Sequence, residues 1–161
     1  RGKEALDLLN QSAKATTIGL GAQNDVARAA TAVMQAYGSE NMSASKAVDL
    51  LTGIVREGNL EASELAPAIG KVIPIAASLG VTFEEVGANI AVFTRLGISA
   101  AEAVTSLKAV LAGILKPTQE AQEELGKYGL TFDDLRNKLK SEGLAAVLQQ
   151  MMALTNGNVE S

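Results

Sequence analysis

The sequence predicts an all-α fold, a compact array of short helices joined by tight Gly-x-Ser/Thr corners, and three observations carry that prediction. Apolar residues recur at helical spacing almost everywhere, no segment alternates as a half-buried strand does, and helix stop and start signals sit side by side at three places.

Helices are expected at 4–17, 24–37, 44–57, 62–79, 83–96, 100–115, 119–128 and 132–154. In the second, Val26, Ala30, Val33 and Tyr37 share one face, and in the third Ala47, Leu50, Leu51 and Ile54 do the same. The fourth contains Pro67 and Pro74, each of which removes an amide donor, so it is expected to be kinked or split near Gly70. Phe83, Val86, Ile90 and Phe93 stripe the fifth. Val104, Leu107, Leu111 and Ile114 stripe the sixth, which Pro117 ends after Lys116. The last carries Leu144, Val147, Leu148 and Met151 on one side.

The corners are Gly80-Val81-Thr82, Gly97-Ile98-Ser99 and Gly129-Leu130-Thr131. Glycine takes the left-handed conformation that closes a helix, and the hydroxyl two residues on caps the next one, a contribution of about 1 kcal/mol. Glu85, Glu102 and Asp134 stand three residues after the hydroxyls, where a carboxylate completes a capping box. Val81 with Val86, and Leu130 with Leu135, have the spacing of a hydrophobic staple. No heptad survives these stops, so the chain is not expected to form a continuous coiled coil. The corner returns after 17 and then 32 residues, too irregularly for a solenoid.

A length of 161 residues suits one helical domain over 1–161, with 1–57 as N-terminal helices and 58–161 as a second grouping. Arg1 stands where an initiating Met would, as expected of a piece of a longer chain. Apolar residues make up 47% and aromatics 3%, and 27 positions are alanine, so the core must come from Ala, Val, Ile and Leu.

Composition also bounds the chemistry. The chain has no Cys and no His, which removes disulfides, thiolate nucleophiles, the commonest metal ligands and the commonest general base at neutral pH. The expectation is a non-enzyme with no catalytic residue, no metal site and no cofactor. A formal charge of −4 with 14 scattered basic residues argues against specific nucleic-acid binding. The longest uncharged run, Gly143 to Val159, includes Gln149, Gln150, Asn156 and Asn158 and is not a candidate for a bilayer span.

The acidic pairs Glu84-Glu85, Glu123-Glu124 and Asp133-Asp134 have the form of a general acid and base, but two of them follow a cap, where the helix dipole favours anions. Gly19-Leu20-Gly21 and Gly58 lack the preceding strand and following Lys of a phosphate loop. Met34, Met42, Met151 and Met152 are read as core fillers, and Arg136, Lys138 and Lys140 as a solvated helix face.

From Gly58 through Pro117 the order of features resembles the core region of tailed-phage tail tape measure proteins. The resemblance is carried by Gly58-Asn59-Leu60-Glu61-Ala62-Ser63-Glu64-Leu65, Gly70, Pro74 and Ala76-Ala77-Ser78-Leu79-Gly80-Val81-Thr82-Phe83-Glu84-Glu85. It continues through Ala88, Thr94, Gly97, Ala103, Leu107 and Leu115-Lys116-Pro117, and Val48 to Val55 and Gly143 to Leu154 also match. Such a resemblance implies a structural protein of the virion tail, present in the host cytoplasm during assembly, that sets tail length and leaves ahead of the DNA. Its implied partners are tail tube, baseplate or other tail assembly proteins and further copies of itself, with membrane contact confined to ejection. Two alternatives stand beside it. One is a membrane-active module, motivated by small-residue helices and a mean hydropathy of +0.16. The other is a cell-wall-degrading domain.

Overall fold

The computed structural model describes residues 2–17 and 21–155. Among them the chain forms α1 (Gly2–Thr17), α2 (Gln23–Tyr37), α3 (Ala44–Gly58), α4 (Ala62–Ile69) and α5 (Ile73–Ser78). These are followed by α6 (Phe83–Arg95), α7 (Ala100–Leu115), α8 (Gln119–Gly126), α9 (Phe132–Glu142) and α10 (Leu144–Thr155), with no strand among the described residues. The proline-bearing stretch is split as expected, by a turn at 70–72 between α4 and α5.

The first two Gly-x-Ser/Thr corners are closed from both sides, and the third keeps the Gly129 N to Gly126 O bond at 3.0 Å and its entering cap. At the first, the Val81 amide donates to Ala76 O at 2.9 Å and Gly80 N to Ala77 O at 3.1 Å, and the second repeats this with Ile98 N to Phe93 O and Gly97 N to Thr94 O. These are Schellman closures, and they place Gly80 at φ 77° and Gly97 at φ 88°, in a region that side chains with a Cβ avoid. On the entering side, Glu85, Glu102 and Asp134 accept the amides of Thr82, Ser99 and Thr131 while those hydroxyls accept the amides three residues on. Sequence reading missed a related corner. Asn59 adopts φ 51°, and Leu60 N donates to Val55 O at 3.2 Å, so asparagine does there what glycine does elsewhere.

Two of these boxes set an acid limit. Hydrogen bonds from Ser99 hold the Glu102 carboxyl below its ordinary 4.5, and those from Thr131 hold Asp134 below its ordinary 3.8. Groups lowered in the fold stabilise it above their unfolded values, and that contribution is lost as pH falls through the lowered ones. The melting temperature should therefore begin to fall below about pH 4.5. A Ser99→Ala, Thr131→Ala double variant should fall less steeply, and equal slopes for the two proteins would refute the assignment.

The predicted stripes face inward. Val26, Ala30, Val33, Ala47, Leu51, Ile54, Val86, Ile90, Val104, Leu107, Leu111 and Ile114 are all buried, and both members of the Val81 and Val86 staple belong to the same core. Phe83 is the largest fully buried side chain, its ring centroid 6.4 Å from that of Tyr37. The Tyr37 hydroxyl donates to Val81 O at 2.8 Å, which ties the end of α2 to the first corner. Burial, with the charges of Glu84 and Glu85 beside it, pushes that phenol well above its ordinary value.

At the centre, α3 and α6 run in the same direction. Lys46 meets Glu84 at one end of the pair at 3.2 Å, and Glu57 meets Arg95 at the other at 3.3 Å. Two glycines set the spacing between the helices. A Cβ on Gly87 would lie 2.4 Å from Ile54 Cγ1, and one on Gly58 would lie 2.6 Å from Thr94 Oγ1 and 3.3 Å from the Ala91 Cα. Parallel neighbours need a return path between them, and the short α4 and α5 provide it.

One boundary differs from expectation. The helix expected over 132–154 is two helices, broken at Gly143, whose φ is 87°. Gly143 N closes α9 on Leu139 O at 3.1 Å. No hydroxyl caps α10. Instead the Leu144 amide donates at 2.8 Å to Oε1 of Glu85, 59 residues away, while Oε2 of the same carboxylate serves the α6 box. Arg136 makes a second tie of this kind, its Nη1 donating to Ile114 O at the end of α7 at 2.8 Å. An anion thus sits at one helix start and a cation at another helix end, as the helix dipole favours.

Candidate interaction surfaces

The acidic pairs serve the helices that carry them. Glu84 and Glu85 occupy the first turn of α6 and Asp133 and Asp134 that of α9, whereas Glu123 and Glu124 lie farther along α8. Glu124 pairs with Lys127, and Glu123 accepts a hydrogen bond from Gln119 at 2.9 Å. Among the described residues no three His, Cys, Asp or Glu side chains gather in a group able to hold a metal ion.

The basic cluster is more engaged than a solvated face. Arg136 pairs with Asp133 at 2.8 Å besides bonding to α7, and Lys138 pairs with Glu142 at 3.6 Å. Of the four methionines, Met42 is buried and Met34 and Met151 pack on the core, but Met152 is 61% exposed. Gly58 is buried in the α3/α6 seam, so helix packing accounts for that glycine. Gly19 and Leu20 lie outside the described residues.

Exposed apolar side chains mark the surface that remains. Leu6 and Leu9 project from α1, beside a cavity of about 450 Å³ lined by Leu8, Met34, Gly38 and Glu40. Val92 and Leu96 project from α6 at 53% and 74% exposure. The middle corner departs from the other two here. Its central residue, Ile98, is 37% exposed, whereas Val81 is buried and Leu130 half-buried. The cause lies five residues on, where the position that pairs with the staple holds Ala103 instead of a Val or Leu.

Beside Val92 lies a shallow apolar groove of about 240 Å³ between α3 and α6, with Leu50, Gly53, Gly87 and Ala88 along it and Asp49, Glu57 and Glu84 at its edges. Its ends are the Lys46–Glu84 and Glu57–Arg95 ion pairs, whose members are all at least 45% exposed and contribute little to stability. Sequence reading finds the buried stripe of α6 but not this face, which exists only once α3 lies alongside.

No helix among the described residues is long and apolar enough to cross a membrane. The family model described as phage-related minor tail protein matches residues 1–159. The tape measure protein of Pneumococcus phage Dp-1 is 30% identical over 118 residues, which is 71% of this chain and 10% of that protein. The chain therefore spans about a tenth of the curated relative it matches. No solved structure matches it.

Proposed function

Since the chain belongs to the phage-related minor tail protein family, we propose that it is a non-catalytic structural segment of a tape measure protein that acts in tail assembly and in setting tail length, and that moves with the genome at ejection. The observation that carries this reading is the family match along 1–159, together with 30% identity to a tape measure protein over 71% of the chain. Its place is the virion tail, after assembly in the host cytoplasm, and its partners are tail tube and baseplate or other tail assembly proteins and further copies of the chain.

The fold adds a physical condition. As one continuous helix, 161 residues would reach about 240 Å, while a folded chain of that length has a radius of gyration of about 15 Å. The helices here are 6 to 16 residues long and turn at sharp corners, so the segment measures length only after these corners open. We read it as a docking module that starts compact and opens as it enters the growing tube.

Tandem duplication of this segment within the phage gene should lengthen tails by about 240 Å in electron micrographs. Tails of unchanged length would overturn the length-setting role. A compact bundle seen outside the lumen of finished tails would overturn the opening step while leaving the assembly role standing.

A further inference from the structure

We infer that the corners at Gly80 and Gly143 form one interlocked hinge, in which α9 and α10 release before α5 and α6 can straighten. The two corners lie against each other. A Cβ built on Gly143 would sit 2.5 Å from Glu85 Oε1, so glycine there admits the carboxylate as well as adopting φ 87°. A Cβ on Gly80 would sit 3.9 Å from Lys140 Cγ, so the Lys140 side chain passes over the first corner at ordinary van der Waals distance. One carboxylate joins the pair. Glu85 Oε2 accepts from the Thr82 amide at 2.9 Å and from the Thr82 hydroxyl at 3.0 Å, while Oε1 accepts from the Leu144 amide. The other corners have no such neighbour, since nothing lies within 4 Å of a Cβ on Gly97 or Gly129.

Thr82 aims Glu85 only while its backbone is extended, at φ −72° and ψ 157°. In a straight helix the Thr82 amide would bond the carbonyl four residues back, the capping box would dissolve, and Glu85 would lose the constraint that points it at Leu144. Each corner therefore keeps its geometry best while the other does, and the coupling acts in both directions.

Burial decides which side yields first. Leu79, Val81, Phe83 and Val86 are buried around the first corner, and the Tyr37 hydroxyl holds Val81 O. Beyond Pro117 the anchorage is lighter. α8 buries none of its residues, and among the described residues of α9 and α10 the buried side chains are Leu135, Leu139, Leu144 and Val147. Segments with few buried apolar side chains open at less cost than the whole fold.

The interlock rests on the opening step proposed above and gives it an order. Hydrogen exchange of the free 1–161 chain tests it apart from tail length, so either can fail while the other stands. In the wild-type protein the Leu144 and Val147 amides should exchange through a smaller opening than the Val81 amide. Gly80→Ala and Gly97→Ala impose similar left-handed strain, at φ 77° and 88°, but only the strain at Gly80 is relieved by releasing the C-terminal helices. Protection at Leu144 and Val147 should fall about tenfold in Gly80→Ala. In Gly97→Ala it should change by less than about twofold. By reciprocity, Gly143→Ala should lower protection at the Thr82 amide. Circular dichroism verifies that each variant is folded. Should Gly80→Ala not fold, Thr82→Ala against Ser99→Ala makes the same comparison, with a loss of at least about threefold at Leu144 expected for Thr82→Ala alone. Equal losses at α10 from the paired variants, no loss from either, or faster exchange at Val81 than at Leu144 in the wild type overturns the interlock.

Discussion

Replacing Phe83 by Ala should lower the unfolding free energy by about 3–5 kcal/mol, the usual range when a buried ring is deleted. The upper half of that range is expected. Phe83 is 1% exposed at the start of α6 and faces Tyr37, in a chain with three Phe and no Trp. The close α3/α6 seam, set by Gly58 and Gly87, resists collapse around the void. Urea denaturation followed by circular dichroism measures the loss. Phe93 is only half-buried, and Phe93→Ala should cost about half as much or less. Equal costs at the two positions would show that burial in this core does not decide the outcome.

Glu85→Ala should cost about 2–4 kcal/mol, more than any other capping substitution in the chain, because one carboxylate serves two helix starts. Loss of the capping box with Thr82 accounts for about 1 kcal/mol. The remainder comes from Leu144, a fully buried residue whose amide would lose its acceptor, at about 1–3 kcal/mol for an unsatisfied buried donor. Gln at position 85 keeps one acceptor oxygen and should recover roughly half. Hydrogen exchange separates the two contributions, since protection should fall at the first turn of α10 as well as at α6. Loss confined to α6 would show that water replaces Glu85 at Leu144 without cost.

These two residues also mark how far the sequence could be read. Phe83 was legible as core because the stripe Phe83, Val86, Ile90 has helical period, and the corners at Gly80, Gly97 and Gly129 were legible because stop and start are both local chemistry. The break at Gly143 was not. Its start signal comes from Glu85, 59 residues away, and no local hydroxyl announces it. Asn59 was missed for a simpler reason, since asparagine substitutes for glycine at left-handed positions only some of the time. The bond from Arg136 to α7 and the α3/α6 face depend on which helices become neighbours. Periodicity within a single helix says which side goes inward but not what is left outside, so the exposure of Val92, Leu96 and Ile98 follows only from the fold.

The tie between Tyr37 and Val81 gives this protein a built-in optical gauge. With no Trp and only two Tyr in the chain, near-ultraviolet dichroism comes from very few chromophores, and the phenol of Tyr37 sits against Phe83 with its hydroxyl on the first corner. Straightening of α5 into α6 would free that phenol and erase its dichroic band while leaving the far-ultraviolet helical signal largely intact. The spectrum can thereby tell an opened hinge from a melted helix without any added label.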